Sequence, residues 1–182
     1  MRFAPGAATS SRRLAVALLS VWLSACSPSL DWRESRPQAS GATIMFPCRP
    51  TSVERVVNLA EAPVPMRLHS CAAAGATFSL AVAEAGTSER VTPVLVALRT
   101  QVTSNLAGRA TPLPLRPISG ATPNAESVRL RIDGALPDGR PVVAHAAFFV
   151  RGTRVYQAAV IGAGTAVGQE ALDSFFGAIR LR

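Results

Sequence analysis

Few residues of this chain have side chains suited to nucleophilic or acid–base catalysis. The 182 residues include two histidines and three cysteines, and all 19 basic residues are arginines. The absence of lysine excludes a Ser–Lys dyad and a Schiff base, and the sequence contains no Gly-x-Ser-x-Gly nucleophile elbow. His69 and His145 each stand among apolar residues of an expected strand, a position typical of structural histidines. The sequence therefore predicts no catalytic residue, and an enzyme with an unrecognised polar site is the less favoured alternative.

A glycine-rich stretch near the end of the chain bears on cofactor binding. Gly162, Gly164 and Gly168 follow an expected strand and precede an expected helix, as the glycines of a dinucleotide-binding fingerprint do. Only 14 residues follow Gly168, which leaves no room for the second parallel strand that such a site needs. We interpret the stretch as a flexible turn and expect no cofactor.

Cys26 closes an apolar run whose local sequence indicates export. The run 14–25 follows Arg12 and Arg13 and ends in Leu23-Ser24-Ala25-Cys26. A helix of about 12 residues spans about 18 Å, too short for a hydrocarbon core of about 30 Å. The tetrad resembles the lipobox of bacterial lipoproteins, in which the cysteine receives a diacylglycerol and becomes the first residue after cleavage. The resemblance implies a signal peptide at residues 1–25 and a lipid anchor, with palmitate, on Cys26. The segment Ser11-Arg12-Arg13 matches a twin-arginine export signal less well.

The residues after the predicted cleavage site bear on localisation and charge. Residues 26–41 are polar and lack periodicity, so we expect a flexible tether between the lipid and the domain. Ser27 follows the predicted lipidated cysteine, and the resemblance implies the periplasmic face of the outer membrane, with the inner membrane as the alternative. Removing residues 1–25 takes away three of the 19 arginines, so 16 basic and 11 acidic residues leave a net charge of +5. We do not expect an exported lipoprotein of this charge to bind nucleic acid.

Cys48 and Cys71 remain as an even pair once Cys26 carries lipid. An oxidising compartment favours a disulfide between them, and the sequence separation of 71 minus 48 gives a loop of 23 residues. Two free thiols are one alternative, and a redox pair is disfavoured because the spacing is not Cys-x-x-Cys. With His69 and His145, the pair would supply enough ligands for zinc, but oxidation competes. We predict a structural disulfide and no metal site.

Three arginines are candidates for contact with an anionic partner. Arg129, Arg131 and Arg154 are expected on the outer face of neighbouring strands. Guanidinium groups bind phosphates and carboxylates well, so these residues would suit anionic lipid head groups or an acidic envelope protein. A solvated sheet face is the alternative interpretation.

The elements that must position these residues are expected within a single domain at residues 42–182. Alternation and turn signals predict strands at 43–47, 52–59, 66–74, 76–84, 127–133, 141–150 and 154–162. Helical spacing predicts one helix from Thr92 and Pro93 to about Asn105 and another over 168–181. The apolar stripe of the second helix comprises Leu172, Phe175, Phe176 and Ile179. The proline-rich stretch 108–126 is expected to be a loop with one short strand at 115–118.

This order of elements favours an α+β fold. We expect an antiparallel sheet of about six to seven strands packed against two helices that cover one of its faces. The stretches IMFPCRP, FSLAVAE, RGTRVYQAAVIG and ALDSFFGAIRL, in this order, resemble uncharacterised proteobacterial lipoproteins with a PsbP-like α/β sandwich. The resemblance implies a small accessory or binding subunit without catalysis, and it assigns no ligand residue.

The sequence therefore leads us to expect a lipid-anchored accessory protein of the cell envelope with a binding or scaffolding role. Its expected partners are the membrane, through the anchor, and another envelope protein or anionic lipid head groups. A carrier that holds a small apolar ligand between the sheet and the helices is the alternative.

Overall fold

The computed structural model describes Met1 and residues 30–182, and divides them among ten strands and two helices. The elements are β1 (Arg33–Ser35), β2 (Ala42–Phe46), β3 (Thr51–Leu59), β4 (Ala62–Ala73), β5 (Ala76–Glu84), α1 (Ser88–Asn105), β6 (Arg109–Leu113), β7 (Val128–Ala135), β8 (Pro141–Arg151), β9 (Arg154–Gly162), α2 (Gln169–Gly177) and β10 (Arg180–Leu181). Neither helix is sufficiently long and apolar to cross a membrane, and this statement covers the described residues only.

Seven of the strands form one antiparallel sheet. Their order is β3-β4-β5-β9-β8-β7-β6, and a smaller sheet has the order β1-β2-β10. The chain leaves the large sheet after β5 through α1 and re-enters at the far edge, so β5 and β9 become central neighbours, with Leu80 opposite Ala158. The predicted α+β class, with an antiparallel sheet of six to seven strands and two helices, is confirmed.

The two helices lie on opposite faces of the large sheet. Val94, Leu95 and Leu98 of α1 bury themselves on one face, while Phe175 of α2 and Phe46 of β2 bury themselves on the other. The expectation that both helices cover one face is therefore wrong. The reason lies in the central strands: β5 buries seven of its nine residues, so both faces of the sheet require an apolar cover.

Helix α1 begins one turn earlier than its sequence indicates. Its N-cap is Thr87, with extended backbone angles of φ −127° and ψ 160°, and Pro93 lies inside the helix rather than at its start. Proline in the second turn removes one backbone hydrogen bond. The earlier start lets Val91, which is 6% exposed, join the core, and this burial offsets part of the loss.

The proline-rich segment, defined here as residues 114–127, is held against the sheet on the α2 side. Leu115 and Ile118 pack on the apolar cluster beneath α2, and the Thr122 amide donates to the Val150 carbonyl at 2.8 Å. The short strand predicted at 115–118 is wrong, because the strand of this region is β6, just before it. β6 tolerates Pro112 because it is an edge strand of the large sheet. The backbone on its outer side has no neighbouring strand with which to form hydrogen bonds.

Residues 30–41 belong to the folded domain, although the sequence indicates a tether as far as residue 41. β1 pairs with β2, the Trp32 ring meets Phe78 edge-on at 5.9 Å, and Ser40 is fully buried. The predicted signal peptide and Cys26 lie outside the described residues, apart from Met1.

Candidate functional site

The three arginines predicted to contact an anionic partner share one face of the large sheet but do not form one cluster. Arg131 is paired with Asp133 at 2.7 Å and Arg154 with Glu84 at 2.7 Å. The strand register separates Arg129 from Arg154 by four residue positions along the strand direction, which is about 13 Å. The structure therefore brings together Arg129 and Arg131 on β7 and leaves Arg154 apart.

Alternation along β7 predicts that the Arg129 side chain is exposed to solvent. In the structure α2 covers part of this side chain. Its guanidinium carbon lies 4.4 Å from the centroid of the Phe176 ring. Its Nε is buried and, among the described residues, has no hydrogen-bond partner. Burial lowers the pKa of Arg129, the Asp173 carboxylate opposes this effect, and Arg116 adds to it. An unpaired buried donor costs about 1–3 kcal/mol, so leaving this nitrogen unpaired destabilises the fold.

A small cavity, which we call the α2 cavity, lies beside Arg129. Its volume is about 20 Å³, enough for about one water molecule. Arg129 and Ala147 form its sheet side, and the other walls come from α2, the residues just after it and the proline-rich segment. These walls comprise Leu115, Arg116, Ile118, Asp173, Phe176, Gly177 and Ile179. The cavity thus combines two guanidinium groups, one carboxylate and apolar surface.

A larger groove, the proline-rich groove, adjoins this cavity. It has a volume of about 680 Å³ and is lined by residues of the proline-rich segment and by Phe149 of β8. Leu115, Arg116 and Ile118 line both the groove and the α2 cavity. The two spaces are therefore neighbours, with Arg116 at their common boundary.

Aromatic contacts hold α2 in place above the site. The Phe175 ring lies 5.7 Å from the Phe46 ring and 5.4 Å from the Phe78 ring, with both contacts edge-on. Phe175 is fully buried, so α2 is docked on both the small sheet and the large sheet. Phe176 follows directly and is only partly buried, which leaves its ring face to Arg129.

The two histidines lie on the same face of the sheet but on strands separated by β5 and β9. His69 is 1% exposed, its Nδ1 is 2.6 Å from the Ser52 hydroxyl, and its Nε2 has no partner within the described part of the chain. Burial lowers the pKa of His69, and Arg67 lowers it further. Burial also lowers the pKa of His145, assisted by Arg129 and Arg131. These surroundings favour neutral imidazoles, and the sheet keeps the two rings apart.

The cysteine pair forms the predicted disulfide. Cys48 and Cys71 are bonded, with their Cα atoms 5.9 Å apart. The bond ties the connection between β2 and β3 to β4, and so ties the small sheet to the edge of the large one. Across residues 30–182, no three side chains of His, Cys, Asp or Glu come together in a group that would hold a metal ion.

A second groove lies at the opposite end of the sheet and offers less chemistry. Its volume is about 730 Å³, and it lies between the β4–β5 turn and the start of β8. Its one charged lining residue is Arg140, whose Nε is already 2.6 Å from an Asp138 oxygen. The proline-rich groove and the α2 cavity are therefore the stronger candidate site.

Sequence reasoning found one member of this site and missed the others. Arg129 was singled out by its place on an alternating strand. Arg116, Asp173 and Phe176 were not, because each meets Arg129 only through the packing of α2 and the proline-rich segment. The one signal for these elements was the density of prolines in a long connection, which predicts a functional loop without naming its contacts. The chain matches no family model, no curated protein and no solved structure.

Proposed function

We propose that this protein is a lipid-anchored accessory protein of the bacterial cell envelope that binds a ligand or partner without chemically changing it. The lipobox-like tetrad at Cys26 supports the anchor, and Ser27 supports the periplasmic face of the outer membrane. The Cys48–Cys71 disulfide suits an oxidising compartment.

The proline-rich groove is the observation that carries the binding role. Its volume of about 680 Å³ lies within the range of about 300–1,000 Å³ that is usual for ligand sites. Apolar side chains such as Ile118 and Phe149 line it together with a charged residue, Arg116. A long loop held on a rigid sheet is also where binding residues commonly occur.

We also propose that the fold is related to the PsbP-like α/β sandwich. The seven-stranded antiparallel sheet with two helices supports this kinship, as does the strand–helix ending from Arg154 to Gly177. PsbP-like proteins act as small accessory subunits, a role that agrees with binding and not with catalysis.

A carrier of a small ligand is the second candidate function. Buried side chains such as Leu95 and Phe175 fill the spaces between the sheet and the helices, apart from the α2 cavity of about 20 Å³. Most of a carrier's ligand would therefore lie in the proline-rich groove, at the surface.

Photo-crosslinking in intact cells tests the binding role. A photoreactive residue is placed at Ala125, which is exposed and lines the groove, and at Gln101, which is exposed on α1. We expect a discrete crosslinked product from position 125 and none from position 101. The product should disappear when Ala121→Trp fills the groove. Identical products from both positions, or a product that survives Ala121→Trp, would contradict the proposed function.

A further inference from the structure

Arg129 differs from the other two candidate arginines, Arg131 and Arg154, in having an unsatisfied donor. Arg131 donates from Nε and a terminal nitrogen to both oxygens of Asp133, and Arg154 donates from Nε to Glu84. The Nε of Arg129 is buried but bonds to nothing in the described residues, whereas the Arg131 and Arg154 side chains are 41% and 40% exposed. The Arg129 guanidinium therefore keeps hydrogen-bonding capacity that the described residues do not use.

The charges around the α2 cavity favour the binding of an anion. Arg116 and Arg129 contribute two positive charges, and Asp173 contributes one negative charge, so the lining has a net charge of +1. The Asp173 carboxylate already accepts a hydrogen bond from the Gln169 amide at 3.0 Å. One negative charge from outside would balance the lining, and a doubly charged group would overcompensate it.

The size of the cavity selects the kind of anion. A volume of about 20 Å³ accepts a group little larger than a water molecule, which favours a planar carboxylate over a tetrahedral phosphate. The adjoining groove of about 680 Å³ is bordered by Leu115, Ile118 and Phe149, so it suits an apolar chain. The combination fits a carboxylate with an apolar tail.

We propose that the α2 cavity binds the carboxylate of a singly charged amphiphile, such as an acyl-chain carboxylate, whose tail lies in the proline-rich groove. This inference rests on the proposed binding function of that groove and names its ligand class. The carboxylate accepts from the Arg129 guanidinium, and the exposed Arg116 guanidinium closes over it from the groove side. The Phe176 ring supports the Arg129 guanidinium by a cation–π contact at 4.4 Å, and the apolar walls strengthen the hydrogen bond by excluding water.

Calorimetric titration of the full chain in a non-ionic detergent tests this assignment. The probes are octanoate, octyl phosphate and octanol, which share a tail and differ in the head group. We expect saturable binding of octanoate, weaker binding of octyl phosphate and no saturable binding of octanol. Octanol binding as strong as octanoate binding would overturn the proposal, and so would tighter binding of octyl phosphate.

Four variants separate a charge contact from a general effect on the fold. Arg129→Met keeps the aliphatic stem and should weaken octanoate binding at least about tenfold, the value of a charge-assisted hydrogen bond. Arg116→Gln changes an exposed residue, so it should weaken binding without affecting folding. Asp173→Asn removes the competing carboxylate and should tighten binding. Arg131→Gln is the matched control on the same strand and should leave octanoate affinity unchanged.

The outcomes distinguish this inference from the proposed function. If wild-type protein does not bind octanoate, or if Arg131→Gln weakens binding as much as Arg116→Gln, the carboxylate site is wrong. If octanoate does not bind but the crosslink at position 125 persists in Arg129→Met, the carboxylate site is wrong. The groove would still be a binding surface, for another class of ligand. If no crosslink forms at position 125 in wild-type cells, the proposed function itself is contradicted.

Discussion

Tyr156 shows how single polar atoms connect the layers of this protein. Its side chain is fully buried and stacks on Phe149, with ring centroids 5.3 Å apart. Its hydroxyl donates to the Ser40 carbonyl at 2.9 Å, so a central strand bonds directly to the chain that precedes β2. Burial raises the pKa of Tyr156, which keeps the hydroxyl protonated and able to donate.

His69 should make the stability of the fold depend on pH. Its pKa is lowered from the ordinary value of 6.5 by burial and by Arg67. As pH falls below about 6.5, the unfolded chain gains a proton that the folded chain does not accept, so stability falls with pH. We expect the stability of the wild type to decrease between pH 6.5 and pH 5, by at most about 1.4 kcal/mol per pH unit for each such histidine. Urea denaturation at constant ionic strength measures this slope.

His69→Gln should reduce that slope, and His145→Gln provides the comparison. The pKa of His145 is also lowered, so the double variant should be nearly independent of pH in this window. The carboxyl groups with lowered pKa, such as Asp133, begin to lose their contribution to stability only below about pH 5. An unchanged slope in the double variant would contradict the assignment to the histidines.

The candidate site was only partly predictable from single residues. Alternation on β7 places Leu130 and Ile132 together on one face, which is the α1 side in the structure, and Arg129 on the other. The sequence pattern distinguishes two faces of a strand but not which face is solvated. It therefore could not show that α2 would cover Arg129 and leave Arg131 in an exposed ion pair.

At the scale of elements, α2 is the part on which the site most depends. Helical spacing places Phe175 and Phe176 together in the predicted apolar stripe of α2, yet only Phe175 is fully buried. Phe175→Ala removes three edge-on ring contacts and should lower the free energy of unfolding by about 3–5 kcal/mol. Phe176→Ala should cost less than half as much, because its ring is partly exposed. Chemical denaturation of the two variants compares them, and equal losses would mean that α2 is docked differently.

The disulfide acts at the same scale by joining elements that the chain order separates. A loop of 23 residues corresponds to about 3 kcal/mol in the chain-entropy model. The bond lies beside β3, an edge strand whose Val56 is 69% exposed and whose outer backbone has no partner strand among the described residues. Cross-linking β4 to the residues just before β3 thus restrains one exposed edge of the large sheet.

Elements with strong local signals were predictable, and those set by tertiary packing were not. The β4–β5 hairpin follows from Gly75, the single residue between the predicted strands at 66–74 and 76–84, whose φ of +73° is the left-handed conformation that glycine adopts readily. The sequence predicts the start of α1 too late, because proline usually occupies the first turn of a helix. In the structure the burial of Val91 outweighs this preference of Pro93 for the first turn. β6 was missed because Pro112 argues against a strand except at an edge, and edges are not visible in a sequence.

At the scale of the whole molecule, folded structure begins close to the proposed anchor along the chain. Residues from Leu30 onward pack on the domain, so only four steps of chain separate Cys26 from folded structure. Four residues span at most about 14 Å when fully extended, far less than a tether reaching to residue 41 would allow. A lipid on Cys26 would therefore hold the small sheet, and the groove on the same side of the molecule, near the bilayer surface.

The anchor itself is testable by changing one sulfur atom. Cys26→Ser removes the thiol that would receive the diacylglycerol, and lipoprotein signal peptidases cleave only after that lipid is attached. We expect the variant to incorporate no labelled palmitate and to retain residues 1–25, which intact mass spectrometry would detect as a heavier polypeptide. Cys71→Ser is the control, because it also removes one thiol but lies in the folded domain, so it should still incorporate palmitate. Palmitate incorporation into Cys26→Ser, or its loss from Cys71→Ser alone, would show that Cys26 is not the lipidated residue.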